Sequence, residues 1–402
     1  MIPRIGEISR ALADAGIDGW LFHDFRLSDP IAYRVLGLSE HGMTTRRWFC
    51  YIRARGGAHT LVSTVEAHRL DGLGAERAVY RSAAEMLSGL RAILAGARRV
   101  AMNYSPYGAI PYVSRVDAGT VELVRSLGVE VVSAADLIQE FEATLTASQM
   151  EGHRRAGAAL GAFVDQTFGE IARRVTSGTP VSEHQIQQFM LERIAQGGLV
   201  TREPPIVAAN AHSADPHFNT VAQDSAPIRR SDFVLLDLWA KEPGEDSIYA
   251  DITWTGFVGD RVPDYHAEIF AIVRSARDAA VALVKSRVAT AAPISGREAD
   301  RAARAVIEQA GFGAHFVHRT GHSIGREVHG TGANLDSLET NDERRLIDRT
   351  CFSVEPGIYL PERFGVRSEI DVTIESERPS VSPPAPQIAI VPILSRQAGV
   401  RE

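Results

Sequence analysis

Apolar positions recur at helical spacing in several stretches of the first third of the chain, with short apolar runs between them. ISRALADAG (8–16) and SAAEMLSGLRAILAG (82–96) have the periodicity of amphipathic helices. GWLF (19–22) and RRVAMN (98–103) are short and apolar enough to be strands. This alternation of helix and strand predicts a small α/β domain over residues 1–145.

The rest of the chain, residues 146–402, contains an internal repeat. VTSGTPVSEHQIQQFMLERIAQGGL, which begins at Val175, aligns without gaps with VATAAPISGREADRAARAVIEQAGF, which begins at Val288. Each copy reads as a turn, a serine N-cap, an amphipathic helix and a glycine stop. Each copy also follows a longer predicted helix. The second domain is therefore predicted to consist of two similar halves.

Each half then carries two carboxylates in strand-like sequence. Asp237 and Asp251 lie 14 residues apart, as do Glu355 and Glu369, and the second pair follows the first by 118 residues. A carboxylate inside a strand as apolar as FVLLDLW is costly to bury unless it is paired or bound to a metal. One such residue is commonly a buried salt bridge. Four at repeat-related positions predict one shared site, where two divalent cations would balance the charge.

Composition narrows the class of protein. The chain has 402 residues, 45% of them hydrophobic, and a net charge of −7, which gives no reason to expect nucleic acid or an anionic membrane as partner. Only Cys50 and Cys351 are present, too few for a disulfide framework or a thiolate metal site. No apolar run is long enough to span a membrane. We expect a cytoplasmic protein of two domains.

The motif GHSIG (321–325) fits the G-x-S-x-G pattern of a serine hydrolase, with Ser323 as the nucleophile. Such a site requires an acid and then a histidine downstream of the serine. The last histidine of the chain is His329, and only Glu327 lies between it and Ser323 as an acid. The sequence therefore argues against a serine hydrolase. It draws attention instead to the histidines around Ser323.

The run HRTGHSIGREVHG (318–330), together with ADITWT, VEPGIY and GVRSE, resembles the metallopeptidase family that includes Xaa-Pro dipeptidases (prolidases), aminopeptidase P, creatinase and methionine aminopeptidase. The resemblance covers residues 148–376 well. It implies an α+β protein in which a small α/β domain (1–145) precedes a catalytic domain (146–402). The catalytic domain would have the pita-bread fold, with a pseudo-two-fold repeat.

The resemblance also implies the residues of a dinuclear metal centre. Two divalent ions, with Mn²⁺ preferred over Co²⁺, Zn²⁺ or Fe²⁺, would be held by Asp237, Asp251, His322, Glu355 and Glu369. Glu355 would also move the proton of the attacking water.

Further residues of the site are implied to contact the substrate. His329 resembles the histidine that stabilises the oxyanion, and His217 another histidine that contacts substrate. His318 resembles a residue of the proline pocket. Arg367 resembles an arginine that orients the site and helps to bind substrate.

The sequence departs from the family pattern at several places. The hairpin between Asp237 and Asp251 is three residues longer than usual, which leaves Asp246 as a competitor to Asp237. Trp254 stands where arginine is common, and Gly330 where an acid is common. The loop 330–350 has no clear match to the arginine that binds the substrate carboxylate, and its candidates are Arg344, Arg345 and Arg349. Three other histidines are expected to be ordinary surface or capping residues: His153, His212 and His315.

The expected function is metal-dependent hydrolysis of the bond before proline, most simply in Xaa-Pro dipeptides. Aminopeptidase P activity on longer peptides and hydrolysis of a non-peptide C–N bond, as in ectoine hydrolase, are alternatives within the same fold. A binding protein that kept the fold without the activity is a third alternative, although its signature would be a missing ligand. The resemblance further implies a homodimer.

Overall fold

A computed structural model of the protein describes residues 4–395. The chain separates into two compact units, the first ending at Thr144 and the second beginning at Leu145. Across residues 4–395, no helix is both long enough and apolar enough to cross a membrane.

The first unit is built on one six-stranded sheet with the order β4-β3-β2-β1-β5-β6. Its strands are β1 (Gly19–Asp24), β2 (Trp48–Arg53), β3 (Ala58–Ser63), β4 (Glu76–Tyr80), β5 (Arg99–Met102) and β6 (Glu130–Ser133). Its helices are α1 (Ile5–Asp14), α2 (Pro30–Leu36), α3 (Ala83–Ile93), α4 (Ala118–Arg125) and α5 (Ala135–Glu142). The predicted helices α1 and α3 and the predicted strands β1 and β5 are confirmed.

The second unit contains two long helices, each followed by a shorter one. These are α6 (Ala147–Ser177) with α7 (Glu183–Gln196), and α8 (Asp264–Ala289) with α9 (Gly296–Gln309). The shorter helices begin alike, because Ser182 and Ser295 each form a capping box with the residue three positions later. The glycines that follow them, Gly198 and Gly311, have φ angles of 72° and 85°, which suit a helix stop. The predicted repeat is confirmed.

The strands of the second unit form two four-stranded sheets and one hairpin. The first sheet has the order β16-β9-β8-β7, the second β10-β11-β14-β15, and β12 pairs with β13. Their bounds are β7 (Ile206–Ala209), β8 (Phe233–Ala240), β9 (Ala250–Phe257), β10 (Ser323–Ile324), β11 (Cys351–Val354), β12 (Gly357–Leu360), β13 (Phe364–Arg367), β14 (Ile370–Glu375), β15 (Arg378–Ser382) and β16 (Val391–Pro392).

The two halves differ in how they place their carboxylates. Asp237 and Asp251 lie on the adjacent antiparallel strands β8 and β9. Glu355 follows β11 and Glu369 precedes β14, so that the whole hairpin β12–β13 is inserted between them. The strands next to these two residues, β11 and β14, still pair antiparallel, so the second half does carry a strand pair with its carboxylates, although a hairpin separates the two strands in sequence.

Candidate metal centre

Three of the predicted ligands converge at one buried point. One ligand atom of Asp251 on β9, one of His322 just before β10 and one of Glu369 just before β14 all lie within 4.8 Å of one another. The three residues are at most 4% exposed. The two halves of the unit thus contribute one carboxylate each, and the intervening loop contributes an imidazole.

The other two predicted ligands lie beside this group. Glu355 Oε1 is 3.3 Å from His322 Nε2. Asp237 lies in ion contact with Arg367, whose Nε is also 3.9 Å from Glu355 Oε2. Arg367 is buried and donates to Thr253 Oγ1 and to the carbonyl of Pro216. All five predicted ligands therefore belong to one cluster, with Arg367 at its edge.

The acids of the cluster have raised pKa values, because they are buried close to one another. Burial raises the pKa of Asp251 well above its usual range, and the carboxylate of Asp237 raises it further. Burial and the charge of Asp251 do the same to the pKa of Glu369. Burial raises the pKa of Glu355 to about 7, although Arg367 and Arg319 oppose this rise. The charges of Arg367 and Arg319 do not offset the four carboxylates, since the pKa of Glu355 stays raised.

The donor set fits divalent cations. Asp251 Oδ1 is buried and has no hydrogen-bond partner anywhere in residues 4–395. A buried carboxylate oxygen normally receives a donor, so an oxygen left without one is suited to a metal ion. Four carboxylates with one imidazole are the ligands of Mn²⁺, Fe²⁺, Co²⁺ or a catalytic Zn²⁺ site rather than of a structural zinc site.

The predicted substrate contacts surround the cluster at different depths. The rings of His322 and His329 meet edge to face with 4.4 Å between their centroids, and His329 is exposed. His318 Nε2 lies 2.7 Å from the hydroxyl of Tyr359, and burial lowers the pKa of His318 to about 3. His217 is exposed and close to Asp237, whose pKa is raised by burial against the opposing effects of Arg367, Thr253 and His217.

Several alternatives raised by the sequence lie outside the cluster. Asp246 is on the surface, where Oδ1 is 2.7 Å from a guanidinium nitrogen of Arg326. Ser323 Oγ accepts from the backbone N–H of Gly332. The guanidinium of Arg344 is bound to Asp342 and to two backbone carbonyls, and the other two loop arginines are exposed: Arg345 and Arg349.

The expectation of three ordinary surface or capping histidines was wrong for His153. It is fully buried on α6, and its Nδ1 lies 2.7 Å from the carbonyl of Tyr249. EGHRRAG (151–157) looks polar, yet the helix buries His153 together with three small residues, Gly152, Ala156 and Gly157. His212 binds the buried Glu183 and His315 the carbonyl of Tyr359.

Two further residues, Thr253 and Ser353, hold the proposed ligands in place, and neither stands out in the sequence. Thr253 Oγ1 donates to Glu369 Oε2 at 2.7 Å. Ser353 Oγ accepts from the backbone N–H of His322 and donates to Glu355 Oε1 at 3.2 Å. Thr253 lies two residues after Asp251 on the same face of β9, so the period of a strand could have identified it.

A buried cluster of carboxylates and histidine, formed between two repeated halves, is typical of a metal-dependent hydrolase. The comparison with known sequences agrees with this class. The sequence model of metallopeptidase family M24 matches residues 151–376, more than half of the chain. The chain belongs to metallopeptidase family M24.

Individual relatives share part of their length with this chain. A probable dipeptidase PepE of Mycobacterium tuberculosis is 30% identical over 261 residues, which is 65% of this chain and 63% of the relative. An Xaa-Pro dipeptidase of Lactobacillus delbrueckii subsp. lactis is 31% identical over 235 residues, 58% of each protein. The chain thus aligns with less than two thirds of the length of these curated relatives.

Solved structures match over nearly the whole chain. The dipeptidase PepE of Mycobacterium ulcerans superposes with a TM-score of 0.73 at 26% identity and covers 97% of both chains. An Xaa-Pro dipeptidase of Bacillus anthracis gives a TM-score of 0.64 at 23% identity over 96% of this chain and 98% of that one. The predicted fold, an α/β domain followed by a catalytic domain of the pita-bread type, is confirmed.

Proposed function

We propose that the protein is an Xaa-Pro dipeptidase with two divalent metal ions. The observation that carries this proposal is the set of four buried carboxylates and one histidine, with an oxygen of Asp251 that no donor reaches within residues 4–395. Membership of a metallopeptidase family and the names of relatives such as the Lactobacillus Xaa-Pro dipeptidase support it.

The residues that would hold the ions are Asp237, Asp251, His322, Glu355 and Glu369. When bound, the ions supply an activated water at neutral pH and polarise the scissile carbonyl. They also supply the positive charge that four buried acids lack.

The chain's own groups would then handle the proton and the developing charge. Glu355 Oε1 accepts from Ser353 Oγ, which orients the carboxylate, and a pKa raised by burial to about 7 suits a group that accepts and returns a proton near neutral pH. It would take a proton from the attacking water and deliver it to the proline nitrogen. His329, exposed beside His322, would donate a hydrogen bond to the oxyanion.

The side chains around the cluster would bind the substrate. Arg367 and Arg319 carry the positive charges that oppose the raised pKa of Glu355, so both charges act within the cluster. His318 and Tyr359, joined by a hydrogen bond of 2.7 Å, would form one wall of the proline pocket. His217, which is exposed, would contact the substrate on its solvent-facing side.

The test is proline release by protein that has been stripped of metal. We expect no cleavage of an Xaa-Pro dipeptide until Mn²⁺ is added, and slower cleavage of the matching Xaa-Pro tripeptide. Preference for the tripeptide would favour aminopeptidase P activity instead. If neither peptide is cleaved by protein that binds two metal ions, the Xaa-Pro proposal is wrong and non-peptide amides become the substrates to test.

The chain offers a matched pair of variants for the same assay. Asp237→Asn should reduce activity by about 10³-fold, because it removes a proposed ligand from the buried cluster. Asp246→Asn, nine residues away on the surface, should leave activity within about twofold. The reverse result would identify Asp246 as the ligand.

Three further features belong to the proposal: manganese as the working metal, a homodimer and a cytoplasmic location. Metal preference would be measured by restoring stripped protein with Mn²⁺, Co²⁺, Zn²⁺ or Fe²⁺ in parallel. The dimer would be measured by light scattering on the full chain.

A further inference from the structure

We infer that Asp371 is a positioning residue, which holds the proposed metal ligand Asp251 through the backbone N–H of Asp251. His153 lies beside Asp371. The inference rests on the metal centre proposed above. Asp371 lies on β14 and is fully buried, and its Oδ2 accepts a hydrogen bond of 2.9 Å from the backbone N–H of Asp251.

The internal repeat explains why a residue at this position can reach Asp251. Asp371 follows Thr253 by the same 118 residues that separate Glu369 from Asp251. Thr253 reaches across to the second half, where its hydroxyl donates to Glu369 and its carbonyl accepts from the Glu369 backbone N–H at 3.3 Å. Asp371 reaches across in the opposite direction, to Asp251. Each half therefore holds a proposed ligand of the other, Glu369 through its carboxylate and backbone N–H and Asp251 through its backbone N–H.

A buried aspartate at position 371 costs more free energy than the threonine at the repeat-related position 253. A buried carboxylate is unfavourable without partners, yet Oδ1 of Asp371 finds no hydrogen-bond partner in the described part of the chain. The nearest titratable side chain is His153, with Nε2 3.7 Å from Asp371 Oδ2 and Nδ1 bound to the carbonyl of Tyr249, and burial lowers the pKa of His153 to about 4. Tyr249 lies two residues before Asp251. The imidazole of His153, on α6, therefore lies next to both partners of the hydrogen bond between Asp251 and Asp371.

This arrangement predicts a residue that acts on metal affinity through Asp251. A carboxylate that accepts from the Asp251 N–H fixes where β9 places its ligand oxygens, including the one that has no donor. Residues that orient metal ligands in this way change metal affinity by roughly 10- to 100-fold. Asp371 touches neither substrate nor metal in this assignment.

The measurement is Mn²⁺ binding to stripped full-length protein, followed by the electron paramagnetic resonance signal of free Mn²⁺. Asp371→Val removes the acceptor and should weaken binding by roughly 10- to 100-fold. Asp371→Asn keeps an acceptor oxygen and should stay within about threefold of the unaltered protein. Hydrogen exchange at the Asp251 amide should rise in the valine variant and stay slow in the asparagine variant.

A matched control binds the backbone of the same strand, β9, from outside it. Gln387 is also buried, and its Oε1 accepts from the backbone N–H of Thr255, which is no metal ligand. Gln387→Val should lower stability and leave Mn²⁺ affinity unchanged. If it weakens Mn²⁺ binding as much as Asp371→Val, general loosening of β9 explains the effect and the assignment is overturned.

Two other outcomes would overturn the inference. Equal losses in Asp371→Val and Asp371→Asn would show that charge matters rather than the hydrogen bond, and normal binding by folded Asp371→Val would show that neither does. Should Asp371→Val not fold, His153→Leu leaves Asp371 in place and should weaken Mn²⁺ binding by roughly tenfold, whereas binding within about threefold of the unaltered protein would contradict the assignment. Absence of Mn²⁺ binding by the unaltered protein would instead reject the metal centre itself.

Discussion

Two buried clusters of acids, one in each unit, differ in what satisfies their oxygens. In the first unit, Asp24 is fully buried and receives four donors: Leu27 N–H and Tyr33 O–H on Oδ2, and Ser28 O–H and Asp29 N–H on Oδ1. In the second unit, Asp251 is almost as buried, yet its Oδ1 receives no donor from residues 4–395.

This difference in the number of hydrogen-bond donors distinguishes a structural carboxylate from a functional one. Four donors can solvate a buried charge well enough to make it part of the core. A carboxylate surrounded by Asp237, Glu355 and Glu369 has too few donors, so its charge remains available for a cation. Burial is common to both clusters, and the supply of donors separates them.

The largest expected effect comes from Asp251→Asn. Activity should fall by at least about 10³-fold, equivalent to about 4 kcal/mol, because the variant removes a ligand that both halves share. The stripped variant should nevertheless be more stable to urea than the stripped unaltered protein, by about 1 kcal/mol, since a poorly compensated buried charge has gone. Loss of stability along with activity would place Asp251 with the structural acids.

Asp24→Ala should have the opposite stability effect. It leaves four donors of the first unit without their acceptor, and each buried group left unsatisfied costs about 1–3 kcal/mol before relaxation. We expect urea unfolding to show a loss of about 3 kcal/mol, with Mn²⁺ affinity of the folded fraction unchanged. A variant as stable as the parent would remove the distinction between the two clusters.

Much of the site could be predicted because its sequence signals are local or periodic. Asp237 interrupts an apolar strand, and the 118-residue displacement relates it to Glu355 as it relates Asp251 to Glu369. The capping boxes at Ser182 and Ser295 also follow local rules. These features do not depend on knowing which strands become neighbours.

The remaining features depend on contacts between distant segments. Asp371 looks like one polar position in an alternating strand, and only the approach of β14 to β9 brings it to the backbone of Asp251. His153 has polar neighbours, and only the packing of α6 against β9 buries it. The segment SERPSVSPPAP (376–386) has the composition of a loop, yet residues 378–382 form β15 because β14 offers an edge for pairing.

The smallest expected effect is on how stability depends on pH. Burial raises the pKa of Glu355 from about 4.5 to about 7, so the folded protein without metal binds a proton in this range that the unfolded chain has released. The contribution of Glu355 to stability should therefore fall as pH rises from about 4.5 to about 7, by about 2 kcal/mol. Urea unfolding of stripped protein at four pH values measures it, with Glu355→Gln as the reference that cannot titrate. As pH rises, the unaltered protein should become less stable relative to Glu355→Gln. Saturating Mn²⁺ should reverse this trend, because the ions favour the ionised form of Glu355. A stability difference that stays constant with pH would mean that the fold already stabilises the ionised form of Glu355.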